Sequence, residues 1–312
     1  MNHTNQILII GRNFHPDGKE TAALIASELN PYLKKMNLGA DLALFKDLIF
    51  DISNDGIKVL NASTGRDLST YDVVLMTNWF SHASIRKDIA HTLALYFNQH
   101  GIKLFNSEAL YSRSTSKLSQ MMLAAINKVP IPRTIFSLSL DNLETYLKDI
   151  EFKAPFIFKD AQASRGKSNF VLKSVGEITS HKELHSEKAP FMAQDFIESD
   201  GSDLRFFVAG GDTKVIIKRV GQDDSHLHNT SAGAVTEILP IGSMDPKILK
   251  DVSRMSDLLH RELTGIDIMF DRKTGQYYFL EANPIPQIAT GSNVELKLKA
   301  LASSLEVMVK GE

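Results

Sequence analysis

Gly265-Ile266-Asp267-Ile268-Met269-Phe270, followed shortly by Tyr278-Phe279-Leu280-Glu281-Ala282-Asn283-Pro284, is the stretch on which the reading of this chain turns. Two apolar runs flank the polar connection Asp271–Gly275, and that pattern predicts a hairpin. Folded about that turn, Asp267 lands roughly opposite Glu281. Because strand side chains alternate, Glu281 and Asn283 share a face. Two carboxylates facing each other in an apolar hairpin repel. A divalent cation reverses the sign, and magnesium takes about one or two carboxylates together with substrate phosphates. Strand ends near solvent would account for the two acids without any chemistry. The Glu-x-Asn spacing and the proline-rich exit after Asn283 weigh against that plainer reading without removing it.

Upstream of that hairpin, the runs 204–209 and 214–220 flank Gly210-Gly211, which suits a tight turn. Further back, 156–159 and 170–173 flank a glycine-containing loop. That loop, Ala161-Gln162-Ala163-Ser164-Arg165-Gly166-Lys167-Ser168, differs by one residue from a phosphate-binding P-loop, with Ala161 in place of the first glycine. A P-loop must run directly into a helix, whose N-terminus holds the phosphate. Here the β-like run 169–172 follows, so the segment reads as a strand–loop–strand flap over phosphates. Lys159 ends the apolar strand beside the flap, either as a solvated strand end or as an ammonium aimed at a phosphate. Ser112–Ser116 is a cap-rich stretch opening a helix over 117–128, and Lys117 sits near its first turn, where a cation opposes the helix dipole. Arg205, after Asp203 and Leu204, is placed to hold a developing anion or else marks a surface strand start. In Asp223–Gly233, His226 and His228 would share a strand face, but no third ligand stands nearby, and a mobile lid is the preferred reading.

Toward the N-terminus, Ile7–Ile10 reads as a buried strand ending at Gly11. A loop over Arg12–Gly18 follows, then a helix from about Lys19 to Leu29, stopped or kinked by Pro31. Val73–Met76, a helix over 85–97 and a strand over 101–105 continue the alternation, which predicts an open, mostly parallel sheet over residues 1–110. No Gly-x-Gly-x-x-Gly follows Gly11, so a nicotinamide cofactor has no support. Among 312 residues there is no cysteine, which excludes disulfides, thiolate metal sites and a cysteine nucleophile. A net charge of -2 gives no general attraction to nucleic acid or anionic membrane. No apolar stretch approaches the roughly 20 residues of a membrane span. A cytoplasmic protein is expected.

Taken in order, these pieces resemble the ATP-grasp superfamily, most closely its RimK-type and glutathione-synthetase-like ligases. The resemblance covers nearly the whole chain. It includes 55–59 through 72–74, similar to the family's hairpin leading into its second sheet strand, and Phe105-Asn106-Ser107 before the Ser116-Lys117-Leu118 helix. It implies an α/β ATP-grasp architecture: an N-terminal open α/β (pre-ATP-grasp) domain over 1–112, a small lobe with the flap over 113–190, and a C-terminal lobe with the metal site over 191–312. Lys117 and Lys159 resemble the two phosphate-binding lysines. Ser164, Arg165, Gly166 and Lys167 resemble the flap, and Gln194, Asp195, Phe196 and Ile197 the hinge along which adenine lies. Asp203 matches an acidic residue near the nucleotide, Arg205 an arginine near the transferred phosphate, Asn229 a lid residue, and Asp267, Glu281 and Asn283 the magnesium set. There are departures. Ala163 and Ser168 stand where glycine is frequent, Leu227 where an arginine is frequent, and Pro284-Ile285-Pro286-Gln287 replaces a small-residue turn.

The resemblance implies a carboxylate–amine ligase using ATP and one or two Mg2+ ions, with Mn2+ as a substitute, and acting through an acyl-phosphate. Arg205 and Lys159 are the expected catalytic residues. Small-molecule or peptide carboxylates and amines are the expected partners, with neither nucleic acid nor membrane; a homo-oligomer is left open. A small-molecule kinase and a non-catalytic nucleotide-binding module stay as alternatives. Asn13, His15, Asn78, Trp79, His226 and His228 are the expected substrate lining.

Overall fold

The computed structural model describes residues 6–12, 20–77, 84–111, 116–160, 169–180, 191–221, 235–284 and 286–311. Strand β1 (Ile7–Gly11) is buried throughout, as a strand covered on both faces must be. It pairs in parallel with β2 (Ala40–Leu44) and β5 (Val73–Met76), and β5 pairs in parallel with β6 (Lys103–Phe105). The resulting order is β2-β1-β5-β6, the open parallel sheet expected from the alternating pattern. Between β2 and β5 lies a separate hairpin, β3 (Leu48–Ser53) and β4 (Gly56–Asn61). Helix α1 (Ala22–Lys34) packs on one face of the parallel sheet against Ile7 and Ile9. Helix α2 (Ser84–Gln99) packs on the other, against Leu8 and Ile10.

Helix α1 departs from expectation. It opens later than Lys19, with Thr21 capping the Leu24 N–H at 3.1 Å, and it runs through Pro31 to Lys34 instead of stopping there. Leu29 and Leu33 lie on either side of the proline and are both fully buried. Their burial offsets the roughly 3 kcal/mol that an interior proline costs a helix.

Helix α3 (Lys117–Ile126) begins after its cap Ser116, as the sequence predicts. Beyond it β7 (Thr134–Ser137), β8 (Phe156–Asp160), β9 (Asn169–Leu172) and β10 (Phe191–Asp195) form an antiparallel sheet in the order β7-β10-β8-β9. Its Phe156, Phe158, Phe191 and Ala193 side chains share a core with Leu143 and Leu147 of α4 (Leu140–Asp149). By alternation Lys159, Met192 and Gln194 point to the opposite face.

A five-stranded sheet completes the fold, in the order β13 (Val235–Leu239), β12 (Asp212–Val220), β11 (Ser202–Ala209), β14 (Leu263–Phe270), β15 (Tyr277–Asn283). Gly210 and Gly211 join β11 to β12 with φ of 69° and 83°, a turn that needs two left-handed residues. Leu204, Phe206, Ile266 and Ile268 pack on α5 (Pro246–Leu259). Phe207, Val215, Ile217 and Leu263 point the other way. They share a core with α6 (Val294–Lys310) and α1, so α6 lies between the parallel sheet and the five-stranded sheet. No helix among the described residues is long and apolar enough to cross a membrane.

Candidate functional site

Along one row of the five-stranded sheet, Arg205, Asp267 and Glu281 stand on adjacent strands, directly opposite one another. A bulge after Asp267 sets this register. Counting back from the Phe270–Tyr277 pair without it would place Asp267 opposite Leu280 and turn Glu281 to the other face. Asn283 donates through Nδ2 to Asp267 Oδ2 at 3.2 Å and to Glu281 Oε1 at 3.1 Å, so the three residues expected to bind metal do converge. Among the described residues no trio of His, Cys, Asp or Glu gathers closely enough to hold an ion. The donor set is two carboxylates and an amide. That fits magnesium, whose remaining ligands are typically phosphate and water.

Four cations surround these acids. Arg205 forks onto Asp267, with Nε to Oδ1 and Nη2 to Oδ2 both at 2.8 Å. Arg219 forks onto Asp203 with both contacts at 2.6 Å and reaches Asp267 Oδ1 at 3.2 Å. Lys117 Nζ lies 3.8 Å from Glu281 Oε2. Lys159 is buried, and burial, followed by the charge of Lys117, pulls its pKa down to about 8 against the opposing attraction of Glu281. Burial also raises Asp267, but the two guanidiniums outweigh it and hold the carboxyl below its ordinary value. Asp203 is likewise raised by burial, has Arg219 as its main compensation and feels the charge of Asp267. Its pKa rises to about 6.

The remaining expected residues divide. Gln194 is buried, and its Nε2 donates to Thr134 Oγ1 at 2.7 Å and to Met121 Sδ at 3.5 Å, which ties the side chain to α3 and β7. Asp195 ends β10, its N–H donating to Arg133 O at 3.1 Å, and Phe196 and Ile197 follow outside any strand. Ser164, Arg165, Gly166, Lys167 and Asn229 lie outside the described residues, as do Asn13, His15, Asn78, Trp79, His226 and His228.

Arg219 escaped the sequence reading for a physical reason. The Gly210-Gly211 turn by itself pairs Asp203 with Lys218, and only the bulge between Phe207 and Val208 moves Arg219 opposite Asp203. Glu20 and Lys297 were also missed. Both are buried, and Glu20 Oε2 accepts from Ala289 N at 2.7 Å and Thr290 Oγ1 at 3.1 Å. Lys297 donates to the carbonyls of Gln287 and Thr290, with the charges of Glu20 and Arg205 nearby. No local pattern announces them, because their partners are more than two hundred residues apart in the chain or are backbone carbonyls.

An open α/β sheet followed by two further sheets, with cations gathered over a carboxylate–amide cluster, is the organisation of an ATP-grasp protein. The RimK-like ATP-grasp domain matches residues 114–305, and the chain belongs to that family. The alpha-aminoadipate–LysW ligase LysX of Sulfolobus acidocaldarius is 27% identical over 260 residues, 78% of this chain and 89% of that one. A probable alpha-L-glutamate ligase of Vibrio parahaemolyticus is 25% identical over 247 residues, covering 74% of this chain and 75% of its own. Among solved structures, the ATP-grasp ligase PsnB complexed with minimal precursor, Mg and ADP superposes with a TM-score of 0.72. It is 14% identical, with 99% of each chain covered, and that likeness speaks for the fold. The expected class is therefore borne out: an ATP-dependent carboxylate–amine ligase of the ATP-grasp type.

Proposed function

We propose that the protein joins an amino-acid or peptide carboxylate to the amine of an amino acid or peptide, through an acyl-phosphate formed at the cluster of Asp267, Glu281 and Asn283. The observation that carries this reading is the meeting of that cluster with Lys117 and Lys159 at one place, contributed by β14, β15, α3 and β8. The division into 1–112, 113–190 and 191–312 goes with it, the nucleotide lying between the last two parts. Asp267, Glu281 and Asn283 would hold one or two magnesium ions, or manganese in their place. Such an ion would neutralise charge on the phosphates. Lys117 and Lys159 bind phosphate oxygens, and the segment 195–197 lies along the base. A cytoplasmic setting, where ATP is supplied, suits this chemistry.

A substrate carboxylate oxygen attacks the γ-phosphorus and ADP leaves. The amine then attacks the acyl carbon, phosphate departs and the amine proton passes to solvent. Arg205 steadies the transferred phosphoryl group. In the observed arrangement its Nε and Nη2 are occupied by Asp267, so it reaches a phosphate either through Nη1 or by releasing Asp267. Asp203 contributes indirectly, by holding Arg219 against Asp267. The names of the relatives support amino-acid substrates: LysX is an alpha-aminoadipate–LysW ligase, and the Vibrio protein a probable glutamate ligase.

The test is ATP turnover with pools of amino acids and short peptides, the products weighed by mass spectrometry. A species one water lighter than two inputs, with ADP and phosphate, is expected. A phosphate adduct that persists in the presence of amines would mark a kinase instead. Asp267→Asn and Glu281→Gln should each reduce turnover by at least about 100-fold while circular dichroism stays unchanged. Wild-type rates in either variant would remove the metal assignment.

A further inference from the structure

Ala282 lies between Glu281 and Asn283, with its methyl group buried in the core against α5. Its two backbone polar groups are taken up by side chains. Gln120 Oε1 accepts the Ala282 N–H at 2.7 Å, and Gln120 Nε2 donates to Ala282 O at 3.3 Å. Arg261 Nη1 donates to the same carbonyl at 2.6 Å. Gln120 sits one turn after Lys117 on α3. Arg261 is 1% exposed and is itself fixed by a fork to Glu108, with Nε to Oε2 and Nη2 to Oε1 both at 2.8 Å. Glu108 belongs to the segment that follows the parallel sheet.

We infer that Gln120 and Arg261 are positioning residues that fix the two peptides flanking Ala282 and thereby set the spacing and direction of the Glu281 and Asn283 side chains toward a divalent cation. The inference rests on the metal reading of that pair and extends it. Neighbouring side chains on one strand face are about 6.5–7 Å apart along the chain, and the two peptides that flank the residue between them set their directions. The Ala282 N–H belongs to the peptide joining it to Glu281 and its C=O to the peptide joining it to Asn283, so neither peptide plane can rotate without breaking a hydrogen bond in a buried site, where each unmade bond is expensive. Because the grip comes from α3 on one side and, through Glu108, from the N-terminal sheet on the other, the cation site is built correctly only when both are seated against β15. Lys117 on the same helix gains its 3.8 Å approach to Glu281 from the same docking.

The test measures Mn2+ binding to the full chain saturated with a non-hydrolysable ATP analogue, free Mn2+ being counted by electron paramagnetic resonance. Gln120→Met keeps the bulk and removes both hydrogen bonds. It should weaken Mn2+ binding by roughly 10-fold or more, the usual effect of removing a residue that orients a metal ligand. The thermal midpoint should stay close to wild type. Arg261→Lys keeps the charge but cannot serve Glu108 and Ala282 together, and should shift Mn2+ affinity in the same direction. Wild-type Mn2+ affinity in a folded Gln120→Met protein would overturn the positioning role, even if the midpoint fell. Glu281→Gln is the control. If that variant binds Mn2+ as tightly as wild type, the metal reading fails and the inference fails with it, a result distinct from an unaffected Gln120→Met.

Discussion

Asp267 has both carboxylate oxygens engaged. Arg205 Nε and Arg219 share Oδ1, while Arg205 Nη2 and Asn283 share Oδ2, which uses the roughly four lone-pair directions a carboxylate offers. A cation bound at Asp267 displaces one of these donors, and Arg205 is the one that the proposed phosphoryl transfer would also use. Arg205→Met should therefore separate two effects. Mn2+ binding in the absence of nucleotide should tighten, by about 10-fold if one charge-assisted pair is released, while turnover falls. Weaker Mn2+ binding in that variant would show that Arg205 does not compete for Asp267. Lys159 supplies a second residue-level prediction. With its pKa lowered to about 8, the ligand-free protein loses that ammonium as pH rises through 8, and a bound triphosphate favours keeping it. Affinity for ATP should then fall by up to about tenfold per pH unit above 8, with proton uptake on binding seen by calorimetry. Lys159→Arg should flatten the profile. The sign for the fold is opposite. A lysine whose folded pKa is depressed weakens the ligand-free fold below about 8, and that penalty fades as pH rises toward its ordinary 10.5.

The strands show how far the sequence could be read, and where it stopped. The face shared by Glu281 and Asn283 was legible from alternation, and the rough approach of Asp267 to Glu281 from the polar turn, but their direct pairing depends on the bulge after Asp267, which no local signal announces. The parallel N-terminal sheet was legible from buried runs alternating with helices. Arg219 was hidden by a bulge, since one unpaired residue flips everything beyond it and leaves no mark in composition. The extent of α1 was hidden because burial of Leu29 and Leu33 against α6 is a long-range effect, whereas a proline is a local one. Gly265 belongs to this scale too. A Cβ there would lie 3.2 Å from Pro286 Cβ and 3.4 Å from Arg205 Cδ, so β14 leaves room for both the chain after Asn283 and the Arg205 stem. Gly265→Ala should displace the Arg205 fork and lower kcat by up to about 100-fold, with little change in unfolding temperature. Unchanged kcat would mean that Arg205 tolerates the shift.

In the whole molecule, the chain after β6 locks onto the turn between α5 and β14. Asn106 Oδ1 accepts from Leu263 N at 2.8 Å, Ser107 donates N–H and hydroxyl to Glu262 at 2.8 and 2.6 Å, and Glu108 N–H reaches His260 O at 2.9 Å. Glu20 makes a second bridge from the start of α1 to Ala289 and Thr290, beyond β15. The parallel sheet is thus fastened to the same strands that carry the acids, and its seating has consequences for the site. Glu262→Ala removes two of these bonds and should lower stability by about 1–3 kcal/mol in a urea titration. A change near zero would show that the lock adds little. The central claim is that Asp267, Glu281 and Asn283 collect one nucleotide-bound cation in front of Lys159. Anomalous diffraction from crystals grown with Mn2+ and a non-hydrolysable ATP analogue addresses it most directly. The account predicts a Mn2+ peak within bonding distance of Asp267 and Glu281, with a triphosphate oxygen beside Lys159 Nζ. A nucleotide bound elsewhere, or Mn2+ away from those two carboxylates, would contradict it.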